Sequence, residues 1–173
     1  QNLFHPYLCT HYMHIHSRTK KALLTTLLMI CYILLCRYVL KIDTRSSASL
    51  LGMLGIYVAG LIWIVSTAHV SKKHFSLLFQ SGFKSFILMT FLMIVFFIIF
   101  HKLNRQILDD FIRENNRMIA ESGNKTPTEI ETNEALLRSY FVPMTISFYT
   151  LVLLITGAIT SALTAVLISR SNK

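Results

Sequence analysis

Long apolar stretches separated by polar links dominate the chain, and their lengths predict four membrane-spanning helices. The blocks cover about 22–40, 50–70, 85–101 and 143–169. The first, ALLTTLLMICYILLCRYVL, has 19 residues, enough at about 1.5 Å per residue to cross about 30 Å of hydrocarbon. Arg37 near its end can snorkel to the interface. The second carries Gly52, Gly55, Ala59 and Gly60 ahead of Trp63, and the third is Phe-rich with Lys84 and His101 at its ends. Pro143, preorganised for a first helical turn, opens the fourth, and Arg170 stops it. A water-facing core would have to bury helices that are apolar on every side. The expected class is therefore an all-α integral membrane protein with four transmembrane helices and a helical hairpin between spans three and four.

The hairpin is expected over 102–139, the one long polar insertion. In KLNRQILDDFIRENNRMIAES, Leu103, Ile107, Phe111, Ile112, Met118 and Ile119 recur near helical spacing, which predicts an amphipathic continuation of helix three capped at Gly123. Thr126-Pro127-Thr128-Glu129 then reads as a capping box, in which hydroxyl and carboxylate each satisfy a free backbone donor. The second arm should run toward Ser139. Residues 1–21 form a basic, His-bearing segment ahead of the membrane domain, 22–173. The first apolar run starts near Ala22 and no small-residue cleavage site follows it, so it is read as a retained helix.

Composition agrees: hydrophobic residues make up 53% and charged residues 14%, against roughly 25% charged in soluble domains. The net charge of +9 does not point to nucleic acid, because the basic residues flank apolar blocks instead of forming one basic face. With four spans, Arg18, Lys20, Lys21, Lys72, Lys73, Lys84, Arg170 and Lys173 share one side with no acidic residue, while all eight carboxylates fall on the other. Short basic links weigh most in topology, which places the termini in the cytoplasm, of an inner membrane if the chain is bacterial. Arg37, Lys72, Lys73 and Lys84 are the expected interface anchors.

Helices in lipid associate through close backbone contact at small residues. Gly55 with Ala59 on helix two, and Gly157, Ser161 and Ala165 on helix four, or Ala158 with Ala162, are the candidate packing faces. They serve either packing within the chain or a subunit interface. His11, His14 and His16 near Cys9 match no metal-ligand spacing and read as a solvated or interfacial tail. Cys31 and Cys36 read as small core residues. His69 and His101 end different spans on opposite sides, which argues against a bis-histidine haem, and no cofactor is expected. No Asp or Glu lies within a span, as ion coupling would require. Thr90, Thr156, Ser161 and Thr164 can bond their own helix backbone and do not outline a pore. Adjacent Asp109 and Asp110 splay apart on a helix, and no HExxH or GxSxG accompanies them, so no enzyme activity is expected.

FQSGFKSF before the third span, the acidic insert ending TPTEIETNEALLRSYFVPM, and the small-residue span GAITSALTAVLIS occur in an order that resembles the Bacteroidota membrane family called domain of unknown function 4199. The resemblance covers roughly residues 17–173. It implies an inner-membrane location and four spans, and it carries over no catalytic residue.

The expected function is that of a non-catalytic integral membrane subunit, an accessory or scaffold protein. It would pack through small-residue faces and present the hairpin, through Arg105, Asp109, Asp110, Arg113, Glu114 and Arg117, to a partner. Membrane lipids, other membrane subunits or a second copy are the expected partners. The alternative is a small oligomeric transporter or channel with its pathway between copies.

Overall fold

The apolar blocks fold as helices that extend beyond the blocks themselves. A computed structural model describes residues 5–41, 46–68, 74–122 and 126–171, with 5–16, 122 and 127 described by their backbone alone. The elements are α1 (His5–Tyr38), α2 (Ser47–Ser66), α3 (Phe75–Leu103), α4 (Gln106–Ser122) and α5 (Pro127–Arg170). No strand occurs among the described residues. Four segments are long and apolar enough to cross a membrane: Ser17–Tyr38, Ser47–Ser66, Phe75–Leu103 and Thr128–Arg170.

Several boundaries differ from the sequence pattern, each for a local reason. α1 begins at His5, so most of the segment expected as a tail continues into the first apolar helix; Pro6 occupies its first turn, where a missing N–H costs nothing. α3 starts at Phe75, ten residues before the expected start at Ser85. Lys84 therefore lies exposed well inside the helix and not at its beginning. The continuation of α3 into the insert is interrupted: the Asn104 backbone N–H and its Nδ2 both donate to the Phe100 carbonyl, at 2.9 and 3.0 Å. A side chain that competes for a backbone acceptor favours ending a helix, and α4 begins at Gln106. Pro143 opens no new helix; it lies inside α5. Its fixed φ is helical, and the one N–H it removes is tolerated in membrane-length helices.

Two termini are capped as their residue types dictate. Ser46 Oγ accepts from Ser49 N–H at 3.3 Å at the start of α2. The capping box at α5 is present: Thr126 N–H donates to Glu129 Oε2 at 2.7 Å, and Glu129 N–H to Thr126 Oγ1 at 3.4 Å. Gly123 lies outside the described residues.

Packing divides the chain into two units, Gln1–Met93 with Val152–Lys173, and Ile94–Leu151. In the first, helices meet where side chains are small. A Cβ on Gly60 would collide with the Thr25 side chain, and one on Gly52 with the Tyr32 ring. A Cβ on Gly82 would lie 2.7 Å from Ser161 Oγ, and one on Gly157 2.8 Å from Phe86 Cγ. Val65, Ala68, Leu78 and Ala165 form a buried cluster, against which Phe79 and Ile168 pack. At the end of this unit's α1–α2 pair, Lys21 Nζ donates to Thr67 Oγ1 at 2.6 Å and stands 5.3 Å from the Trp63 ring centroid. Outward-facing Leu24, Leu28, Ile62, Phe91, Ile159 and Leu163 are 45–60% exposed. A unit that is apolar both inside and outside is suited to lipid as its solvent.

Candidate functional site

The second unit concentrates the polar chemistry. α4 is amphipathic: Ile107 and Ile112 are buried, while Asp110, Arg113, Glu114 and Arg117 are exposed. Its apolar side meets the first part of α5 through aromatic rings, Phe111 lying 5.1 Å from Phe141 between centroids. His101, 6.1 Å from the same Phe141 ring, places its Nδ1 2.9 Å from the Phe97 carbonyl, where a ring N–H donates. Phe97 in turn stacks on Tyr149 at 4.6 Å.

Polar bonds then fix the register of α4 against α5. Arg138 reaches Asp109 Oδ1 through NH1 at 2.8 Å and Glu134 Oε1 through NH2 at 3.0 Å. Asn116 Nδ2 donates to Glu134 Oε2 at 3.2 Å. Asp109 thus faces Arg138 while Asn116 faces Glu134, so rising numbers on α4 meet falling numbers on α5. Glu134 and Arg138 are one helical turn apart, which lets one carboxylate orient the guanidinium that binds the other.

The six insert residues singled out in the sequence separate into four roles. Asp109 is bonded across to Arg138. Glu114, Arg117 and Glu121 pair along α4, at 2.7 Å and 3.8 Å. Asp110 and Arg113 face outward without an ion pair among the described residues, and Arg105 lines a cleft of about 450 Å³. That cleft is bounded by His101, Lys102, Asn104, Arg105, Leu108, Asp109, Arg138, Phe141 and Val142. Sequence reasoning missed Arg138, Glu134, Asn116 and the cleft cation Lys102. The i,i+4 spacing of Glu134 and Arg138 was a visible signal; their partners on α4 were not, since Asp109 is 29 positions from Arg138.

The small-residue faces also separate. Gly157, Ser161 and Ala165 are buried. Gly55 and Ala59 face outward, and a Cβ on Gly55 would meet nothing within 4 Å. The glycines of α2 that meet α1 are Gly52 and Gly60. Arg37 is half-buried, and Lys72, Lys73 and His69 lie outside the described residues, as do the side chains of Cys9, His11, His14 and His16. Cys36 is buried as expected, whereas Cys31 is exposed.

Buried hydroxyls occur in the first unit where the sequence suggested no polar seam. Tyr57 Oη donates to the Leu153 carbonyl at 3.1 Å and lies 3.5 Å from Thr90 Oγ1. Ser85 Oγ donates to the Ser81 carbonyl at 2.9 Å. The Oγ atoms of Ser81 and Ser161 are buried without a hydrogen-bond partner among the described residues. Residue type alone could not show this, because a Ser or Thr in a helix can always turn back to its own backbone.

A scan against protein-family models, a search of curated proteins and a search of solved structures each found no match.

Proposed function

We propose that the chain is a non-catalytic integral membrane subunit, a four-span bundle with cytoplasmic termini in a bacterial inner membrane, that presents a helical hairpin to a partner protein. The hairpin consists of α4 and the part of α5 before Pro143. The observation that carries this reading is the division of labour on α4. Asp109 and Asn116 are used to hold α5, which leaves Asp110, Arg113 and the 54% exposed Met118 on the outer side of α4, with no ion pair among the described residues. Ordered polar insertions on a scaffold are where binding residues concentrate. The outward Gly55–Ala59 face supports contact with a further helix, from a partner subunit or a second copy. Kinship with the family called domain of unknown function 4199 belongs to the same reading and rests on the order of helices and insert.

The test is mild solubilisation of the native membrane, capture of the chain, and native mass spectrometry of what accompanies it. A defined stoichiometric complex is expected, lost when Asp110→Arg and Arg113→Glu are combined. Recovery of the chain alone, or of its homo-oligomer, would refute partner docking. The outward Gly55–Ala59 face also suits a second reading, a small oligomeric transporter or channel with its pathway between copies, and flux measured in vesicles separates the two.

A further inference from the structure

The cleft beside α4 has chemistry that partner docking does not use. Three of its side chains, Lys102, Arg105 and Arg138, are basic, against the single carboxylate of Asp109, which is already bonded to Arg138 at 2.8 Å. Glu134 also bonds Arg138, but Lys102 and Arg105 are exposed and make no ion pair among the described residues. Two unpaired cations at the rim of one concavity call for an anion, and Arg with Lys is the pairing that suits phosphate oxygens.

The rest of the lining decides what kind of anion. Leu108, Phe141 and Val142 give the cleft an apolar side. Close to the lining residues in sequence, Leu103, Tyr140 and Met144 are 79%, 64% and 74% exposed. A small soluble ion gains nothing from such a surround, whereas an amphiphile covers it with its chains. The site also lies where two apolar runs end: Phe100 precedes His101 and Lys102, and Pro143 follows Val142. Composition changes there from hydrocarbon-compatible to charged, as it does at headgroup level, where basic pockets beside membrane helices take anionic lipids. A volume of about 450 Å³ is ample for a headgroup, being within the range of ligand-sized pockets.

We propose that this cleft binds the phosphate of an anionic phospholipid, with Lys102 and Arg105 holding the phosphate oxygens and Phe141 with Leu108 against the glycerol and upper acyl chain. The site requires that the chain span a membrane, but not that the hairpin dock a partner, so either idea can fail alone.

The test uses the full chain in detergent micelles, with phosphatidylglycerol and phosphatidylcholine titrated separately and bound lipid counted by native mass spectrometry. Preferential retention of phosphatidylglycerol is expected, weakened about tenfold or more, one charge-assisted contact's worth, by Lys102→Gln with Arg105→Gln. The control pair Arg113→Gln with Arg117→Gln removes the same charge outside the cleft and is expected to leave retention within about twofold of the parent. Equal weakening by both pairs would reduce the effect to diffuse charge attraction and overturn the site, as would equal retention of the two lipids. Displacement of the lipid by inorganic phosphate at equal concentration would assign the cleft to the soluble ion and overturn the lipid claim.

Discussion

In the Gln1–Met93 and Val152–Lys173 unit, helices approach where a side chain is missing, with Gly60 against Thr25 and Gly82 against Ser161. In the Ile94–Leu151 unit they are joined by large rings and opposite charges, Phe111 on Phe141 and Arg138 on Asp109. The contrast matches the solvents that the first unit and α4 suit. Lipid is as apolar as leucine, so burying leucine between helices gains little, and close van der Waals contact with hydroxyl bonds must do the work. Water restores the hydrophobic drive, so α4 can rely on burying Ile107 and Ile112 and use ion pairs for register.

If the contrast is right, the largest effect belongs to filling a glycine contact. Gly82→Leu should destabilise the first unit by about 1–3 kcal/mol, as overpacking does, because its Cβ alone would stand 2.8 Å from Ser161 Cβ and 3.0 Å from Val65 Cγ2. Gly55→Leu is the matched control, expected to leave the monomer's thermal midpoint in detergent within a degree or two, since nothing lies within 4 Å. Equal losses from both variants would break the assignment of the two faces.

Thr126→Ala comes next, at about 1 kcal/mol, the usual cost of a lost helix cap. Its effect should stay local, with faster amide exchange over 128–131 and an unchanged midpoint for the first unit. Tyr57→Phe should cost about 0.6 kcal/mol, the average measured for polar contacts between membrane helices, because Oη bonds the Leu153 carbonyl across elements. A loss several times larger would mean that the buried hydroxyls act as one network.

Arg138→Ala sharpens the comparison with the smallest effect. Its pairs with Asp109 and Glu134 are about half exposed, so salt screens them. Amide exchange in Gln106–Ser122 should quicken modestly at low ionic strength, and the difference from the parent should shrink in 0.5 M salt. A salt-independent change would point to packing by the Arg138 stem.

The four apolar segments were legible because hydropathy is written into every residue of a lipid-facing helix, and the Thr126–Glu129 cap was legible because all its atoms lie within one turn. Facing was not. α2 is apolar on all sides, so nothing in the pattern tells Gly52 and Gly60, which meet α1, from Gly55 and Ala59, which face outward. Pro143 reads as a helix start only if the residues before it are taken as a loop, and Leu136 to Phe141 are good helix-compatible residues that carry α5 through it. The break at Asn104 depends on one side-chain bond to Phe100, which residue type permits but does not require. The cleft was hidden for a different reason: Lys102 and Arg105 are close to each other in sequence, but Phe141 and Arg138 come to them from more than thirty positions away.

The central claim is that the outer side of α4 faces water while the outward side of the first unit faces lipid, and cysteine labelling in sealed native-membrane vesicles of known orientation tests it most directly. In a chain with Cys9, Cys31 and Cys36 replaced by alanine, an impermeant maleimide should label Arg113→Cys from the extracytoplasmic side and leave outward-facing Ile159→Cys unlabelled. Labelling of Ile159→Cys at the rate of Arg113→Cys would mean that water reaches both, and would contradict the account.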